Sequence, residues 1–458
     1  MAGFAWPRLA GFEVAAGVEQ LSQNAGKSIQ VACEDWAGTK AAYRFFDNPK
    51  IKLEEIMRPH IDATACRAEK ALRATDPTEP LLIIQDTSYL NYSHHPSTAG
   101  LGEISKFKDR ISDGRILRAC GLLLHSSLAL TTDGIPLGFL DQKLWTRTRP
   151  IGVVTKSGWN FTRIPIEEKE SFRWIEAMRN SSVRISDPGR LIHIGDREAD
   201  IFELFGEAKA QGTHFVIRLK TQQRCVEGGG RIFDQVETVS PKGRYKLRVR
   251  KSDGSYRIAK VEVKFYPVAI LPSVSKKKLD SISAWVIAVI ETGAPKGVEK
   301  IDWKLLTDLP VRSFESACEK IYWYEKRWQI EVFHKVLKSG CRVLDCRLQD
   351  AARLIRYVGV MTVVAWRIFW MTTISRHAPE LKPEAVMAPS EMATLNLYVR
   401  SRKQRLTAQS SAHDWIRSLA SLGGFLGRKC DAEPGPFVLW RGYLRLQDIM
   451  LGISLVPP

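Results

Sequence analysis

IYWYEKRWQIEVFHKVLKSG, residues Ile321–Gly340, is the stretch around which the rest of the chain is organised. It holds no Pro, and Gly only at its last position, so it reads as one uninterrupted helix. At about 100° per residue, Tyr324, Arg327, Glu331 and Lys338 fall within roughly 60° of one another. Ile330, Phe333, Val336 and Leu337 gather on the opposite side, an apolar stripe fit to dock on a core. A lone carboxylate thus sits in a row of cationic and phenolic groups. A solvated face laced with i,i+3 and i,i+4 ion pairs would look the same in isolation. What separates the two readings is the spacing Y-x2-R-x3-E-x6-K and the company it keeps upstream.

Two aspartates are that company. Leu81–Ile84 is a continuous apolar run with Asp86 at its end, the pattern of a central strand covered on both faces. Arg190–Gly195 is a second short apolar strand, and D-R-E-A-D follows at 196–200, with a helix expected over Ala199–Ala210. Asp at a strand end is often no more than a turn former. Asp196, Glu198 and Asp200 imitate the start of a calcium loop, but Ile201 stands where that loop needs Gly and a strand precedes it, which excludes the loop. Between the aspartates, Leu117–Thr131 and Ile135–Trp145 read as strands joined by a Thr132–Asp133–Gly134 turn, and Glu167–Arg179 as a helix. His94 and His95 are read as surface residues, since neighbours on a strand point apart.

The flanks differ in character. Residues 1–75 are helical in pattern, with Tyr43, Phe45 and Phe46 of AAYRFFDNP (41–49) expected to pack inward. His214–Lys220 is a strand with Arg218 at its exit, and the chain is β-rich over 221–310. There Arg244, Lys246, Arg248 and Arg250 alternate with Tyr245, Leu247 and Val249, placing the cations on one face of a strand. Asp253–Gly254 signals a hairpin into Tyr256–Tyr266; Ser281–Glu291 and Ile301–Thr307, which holds Trp303, complete the segment. A solvated face and a phosphate-facing surface both fit those four cations. Residues 350–458 read as mostly helical. Leu422–Lys429 (LGGFLGRK) lacks the spacing of a phosphate loop and no strand precedes it.

At 458 residues the chain exceeds one small core, so two or three domains are expected. Its net charge of +18 favours a polyanionic partner, because neutralising phosphates releases condensed counterions. The eight cysteines form no CxxC pair, which speaks for reduced thiols in a cytosolic protein and against a zinc site. The N-terminus shows no signal-peptide pattern. Val358–Trp366, bracketed by Arg356 and Arg367, is too short to span a bilayer and reads as a buried core helix, so no membrane is expected.

Taken together, Y-x2-R-x3-E-x6-K, the two strand-ending aspartates, D-R-E-A-D and A-A-Y-R-F-F-D-N-P resemble the Y-R-E-K signature family of bacterial cut-and-paste DDE transposases. This is the insertion-sequence-four group, which includes the transposase of transposon five. The resemblance implies an α/β fold: an RNase H-like catalytic core over 76–349 with the β-rich insertion at 221–310. It also implies a helical end-binding domain over 1–75 and a helical dimerisation domain over 350–458. By resemblance, Asp86, Asp196 and Glu331 are the catalytic carboxylates and hold two Mg²⁺ or Mn²⁺ ions, Asp86 bridging both. Tyr324, Arg327, Lys338, Arg218, Trp303 and Arg44 become the DNA contacts, Trp303 receiving or displacing a flipped base. The implied partners are double-stranded DNA, as transposon ends and as target, and a second copy of the chain. The expected location is the bacterial cytoplasm, at the nucleoid.

Two other readings remain at this point. The family's segment before GKSI is usually longer, which would suit a shortened, DNA-binding and dimerising inhibitor of transposition. A stand-alone RNase H-like nuclease is the other. The three carboxylates argue against the first, and the basic β segment with the complete Y-R-E-K pattern against the second.

Overall fold

The computed structural model describes residues 21, 24, 26–33, 35–108, 116–148, 164–220, 224–250, 256–272, 279–401, 406–407, 409–428 and 430–455. The expected turn at Asp253–Gly254 and Lys429 of LGGFLGRK lie outside them.

The apolar runs form the middle of a sheet. In chain order the elements begin with helices α1 (Ile29–Ala32), α2 (Trp36–Asp47) and α3 (Leu53–Ala74). Strands β1 (Leu81–Asn91), β2 (Gly102–Lys108), β3 (Ile116–Thr131) and β4 (Pro136–Trp145) follow, then α4 (Phe172–Ser182), β5 (Leu191–Gly195), α5 (Phe202–Gln211) and β6 (His214–Arg218). Next come α6 (Ile232–Thr238), β7 (Gly243–Arg250), β8 (Tyr256–Ile270), β9 (Ile282–Glu291) and β10 (Asp302–Thr307). The chain closes with α7 (Phe314–Glu325), α8 (Trp328–Lys335), α9 (Ala351–His377), α10 (Pro389–Ser401), α11 (Ala412–Leu422) and α12 (Pro436–Ser454).

The strands form one sheet in the order β2-β3-β1-β5-β6-β10-β9-β8-β7, with β4 also paired to β3. β1, β5 and β6 are parallel neighbours, and the other pairs are antiparallel. Parallel strands are buried on both faces; accordingly Leu82, Ile83, Ile84 and Ile194 are fully buried. One face carries α4 and α5 over a core around Trp174, Phe205 and Phe215. The other carries α3, α7, α8 and α9 over a larger core that runs on into α10, α11 and α12. The β-rich segment extends the same sheet: β10 pairs β6, and β9, β8 and β7 continue outward. On β7, Arg244, Lys246 and Arg248 are exposed and Leu247 is buried, the alternation read from sequence.

Several expectations need correction. The 321–340 stretch is not one helix. It begins in α7, turns at Lys326–Arg327, restarts as α8 and ends in a π turn, Val336–Gly340. β1 does not stop at Asp86 but runs on to Asn91, because β3 pairs with it throughout. Helices α4 and α5 begin later than expected, each after a short 3₁₀ turn. Tyr43 is exposed and bonded to Gln30, whereas Phe46 is buried and Phe45 half-buried. His94 and His95 do not diverge: their rings lie 4.0 Å apart in a turn, and each has a ring nitrogen at the Leu344 carbonyl.

α9 bears out the reading of Val358–Trp366 as part of a buried core helix but corrects its length. It has 27 residues and is long and apolar enough to cross a membrane, yet 89% of its apolar window is buried inside the protein. Arg356 and Arg367 lie within it and are buried. Arg356 donates to the carbonyls of Phe46 and Ile51, which seats α2 on α9.

Among the close approaches that require glycine, two shape this part of the fold. Gly138 of β4, at φ 135°, lets α3 lie so near that an added Cβ would sit 2.0 Å from the Thr64 hydroxyl. At Gly195 a Cβ would meet that of Ala199 at 2.5 Å, so the chain could not fold back after β5. That fold-back is what presents Asp196.

Candidate active site

The parallel register decides where the aspartates stand. The last β1–β5 pair is Ile84↔Ile194, and Asp86 and Asp196 each follow it by two residues. They therefore emerge together at the carboxyl edge of the parallel strands, where α/β sheets place their ligands. Asp196 caps the 3₁₀ turn Arg197–Ala199, its carboxylate accepting the Glu198 amide at 2.8 Å. α8 lies against β1 and brings Glu331 to the same edge.

These carboxylates sense one another. Burial raises the pKa of Asp196 and of Glu331, and the charge of Asp86 raises both further. Arg327 opposes both shifts and donates to Glu331 Oε1 at 2.6 Å. Burial alone would lower the Arg327 pKa, but Tyr324, Glu331 and Asp86 more than offset it, so this cation stays charged. Tyr324 is buried in a T-shaped contact with Trp303, centroids 5.1 Å apart, with Arg218 and Arg327 beside its hydroxyl. Arg218 also donates to the Asp302 carbonyl at 3.1 Å, tying it to the strand of Trp303. Lys338 is half-buried; burial lowers its pKa while Asp86 pulls it back up.

Asp86, Asp196, Glu331, Tyr324, Arg327, Lys338, Arg218 and Trp303 thus converge on one edge. Arg44 is not among them. It is exposed near the end of α2, whose buried face packs on α9.

Sequence reading missed three residues. His334 is buried with Nδ1 3.6 Å from Asp86 Oδ2, and its Nε2 has no hydrogen-bond partner among the described residues. It follows Glu331 by three positions, so the helical spacing that singled out the row could have found it. Glu198, inside D-R-E-A-D, pairs with the third, Arg173 of α4, at 2.6 Å; nothing in the sequence around Arg173 marks it.

Below the site runs a buried polar chain. Arg173 Nε donates to Thr87 Oγ1 at 2.9 Å, and Thr87 Oγ1 lies 2.9 Å from His125 Nδ1. His125 Nε2 is 3.3 Å from Gln85 Oε1, Gln85 Nε2 3.2 Å from His193 Nδ1, and His193 Nε2 3.3 Å from Ser182 Oγ. Burial lowers the pKa of both histidines, that of His193 to about 3, so both are neutral. Arginine only donates. The hydrogens therefore run one way: Thr87 gives to Nδ1 of His125, whose Nε2–H gives to Gln85, whose amide gives to His193.

The hard oxygens of Asp86, Asp196 and Glu331 suit Mg²⁺ or Mn²⁺, and a cation would relieve their mutual repulsion. Among the described residues no three His, Cys, Asp or Glu side chains form a closed ligand set. A two-ion arrangement asks only for the pairs Asp86–Asp196 and Asp86–Glu331, whose partners already interact electrostatically.

Three protein-family models match along the chain: transposase DNA-binding over residues 16–51, transposase DDE domain over 176–365, and transposase Tn5 dimerisation domain over 363–454. The DDE match takes in Asp196, Glu331 and the Tyr324–Lys338 row; Asp86 lies before it.

Proposed function

We propose that this chain, a transposase with DNA-binding, DDE and dimerisation domains, moves an insertion sequence of the Y-R-E-K group by cut and paste. The convergence of Asp86, Asp196 and Glu331 at one sheet edge, backed by Arg327 and Lys338, carries this reading. The sheet order, with its parallel centre and covering helices, supports an RNase H-like core. Residues 1–75 form the end-binding part, 76–349 the catalytic core with its insertion, and 350–458 the dimerisation part. The protein works at the nucleoid in the bacterial cytoplasm.

Asp86, Asp196 and Glu331 would hold two divalent ions, Mg²⁺ or Mn²⁺ as DDE transposases generally use, Asp86 shared between them. Such a pair supplies an activated attacking oxygen and stabilises the leaving one. The chain's own residues do the rest. Arg327 and Lys338 hold the scissile phosphate against the carboxylates, and Tyr324, fixed by Trp303, bounds its position. Trp303 would receive or displace an unstacked base, Arg218 braces the strand beneath it, and Arg44 of α2 reads the end. Water first breaks the bond between a transposon end and its flank, leaving a 3′-hydroxyl. That hydroxyl attacks the opposite strand and closes a hairpin, water reopens it, and the same hydroxyl joins target DNA. Each step exchanges one P–O bond for another, and the departing oxygen takes a proton. A regulator that only binds DNA would not need three mutually repelling carboxylates.

The test is single-strand nicking of a duplex carrying the terminal sequence that flanks the gene. Asp86→Asn, Asp196→Asn and Glu331→Gln should each abolish Mg²⁺-dependent nicking and still shift the duplex in a gel. Glu331→Gln nicking as fast as the unaltered chain would refute the assignment.

A further inference from the structure

Arg173 is an odd residue for its place. It sits in the first turn of α4, where the helix dipole disfavours a cation by about 0.3–1 kcal/mol. Its side chain is only 7% exposed, between the rings of Trp145 and Trp174, which lie 6.0 and 5.7 Å from the guanidinium. Helix stability does not account for it there. Its hydrogen bonds do. Nε donates to the Thr87 hydroxyl at 2.9 Å, Nη1 to the Glu170 carbonyl at 2.9 Å and Nη2 to Glu198 Oε2 at 2.6 Å.

Thr87 is the residue after Asp86 on β1, and Glu198 follows Asp196 by two in the same 3₁₀ turn. One planar, pre-organised fork therefore spans the strand of one aspartate and the turn of the other. Alternation along β1 puts Thr87 on the face opposite Asp86, so the guanidinium lies behind the site, out of reach of DNA held by the carboxylates. We infer that Arg173 is a positioning residue: it clamps the strand bearing Asp86 to the turn bearing Asp196 and so fixes the separation of the two aspartates. This rests on the proposed metal-binding role of those aspartates. The Thr87 hydroxyl, held between Arg173 and neutral His125, extends the clamp into the buried polar chain. Side chains that support ligands from behind in this way tune metal affinity by about 10–100-fold.

The experiment counts bound Mn²⁺ on the full chain by electron paramagnetic resonance, without DNA and without turnover, beside thermal melting. Thr87→Val and Glu198→Gln each cut one arm of the clamp while keeping shape, so the test does not depend on whether an Arg173 variant folds. Each should weaken Mn²⁺ binding on the order of tenfold, counted per folded molecule in a chain that still melts in one cooperative transition. The double variant should be little worse than either single one, because both act through the same fork. Arg173→Lys should lose affinity to a similar extent, since an ammonium cannot bridge two acceptors in fixed geometry. Unchanged Mn²⁺ affinity in Thr87→Val overturns the clamp; if Glu198→Gln alone is weak, Glu198 is a ligand and the clamp is equally wrong. Asp86→Asn is the control. If it binds Mn²⁺ as the unaltered chain does, the metal-site reading itself has failed, a result distinct from loss of the clamp.

Discussion

Replacing Lys338 by Met separates chemistry from stability at this site. Lys338 lies in the π turn Val336–Gly340, half-buried, with no carboxylate within ion-pair distance among the described residues. Burial lowers its pKa, and the charge of Asp86 restores only part of the loss. An amine whose pKa is lower folded than unfolded costs stability below the folded value, and the cost fades as pH rises through it. At neutral pH the ammonium is therefore a small liability to the fold. Met keeps the length and apolar stem, so Lys338→Met should change stability by no more than about 1 kcal/mol, in the stabilising direction. Strand cleavage should respond quite differently. A cation aimed at the phosphate is worth about 3–4 kcal/mol in the transition state, a rate loss of about 10²–10³-fold. Single-turnover nicking of preformed protein–DNA complexes measures this, with melting followed on the same preparation. A variant that melts early but nicks at the normal rate per folded molecule would make Lys338 structural and undo this view of the helix.

Glu325, at the end of α7, accepts from the Tyr245 hydroxyl of β7 at 3.2 Å, and burial raises its pKa to about 7. A raised carboxyl stabilises the fold fully below its unfolded pKa and ceases to as pH passes about 7, so stability should fall over that window. Glu325→Gln should flatten the fall in a urea-midpoint series against pH; an unaltered slope would reject this origin. In the C-terminal helices, Arg367 and Glu391 form a buried pair supported by Tyr443 and Gln447. Glu391→Ala strands the arginine and should cost about 3–5 kcal/mol, whereas a loss under about 1 kcal/mol in urea unfolding would contradict it. Arg44→Ala should narrow the gel-shift preference for end DNA over scrambled DNA at moderate salt, because phosphate contacts alone carry no sequence information; an unchanged ratio would place end reading elsewhere.

What the sequence revealed and what it hid have physical causes. Asp86 and Asp196 were legible because each follows a short apolar run, and a strand buried on both faces leaves that signature wherever it lies. β2, reading GEISKFK, carries no comparable run, and only its pairing with β3 defines it. Tyr43 was misplaced because an aromatic in a helical stretch usually packs inward, and here it faces out to bond Gln30. Arg173 was invisible for a deeper reason: in SFRWIEAMRN an arginine looks like part of a solvated face, and it is the approach of β1, Trp145 of β4 and the Asp196 turn that buries it.

The 321–340 stretch shows how a wrong local geometry can still yield the right neighbours. Read as a straight helix it placed Tyr324, Arg327, Glu331 and Lys338 on one face, and no Pro or internal Gly warns of any irregularity. The backbone departs from that helix twice. Around the Lys326–Arg327 turn, the amides of Lys326, Arg327, Gln329 and Ile330 bond three residues back, which overwinds the chain to about 120° per residue. Past Lys335 the bonding widens, the Cys341 amide reaching five residues back to Val336, which underwinds it. The two deviations have opposite sign, so the phase gained at the first is partly returned at the second. Lys338 still senses Asp86 past both turns, and Arg327, four residues before Glu331 and ahead of the wide turn, still reaches it. Spacing arguments survive such compensation because they test where side chains end up, and that is also why they cannot detect it. The tight turn lets Tyr324 stay buried on Trp303 while Glu331 swings to the sheet edge, and the wide turn brings Lys338 to the same place. Wide turns of this kind recur at functional sites, and here it carries Lys338, whose ammonium makes no hydrogen bond or ion pair among the described residues.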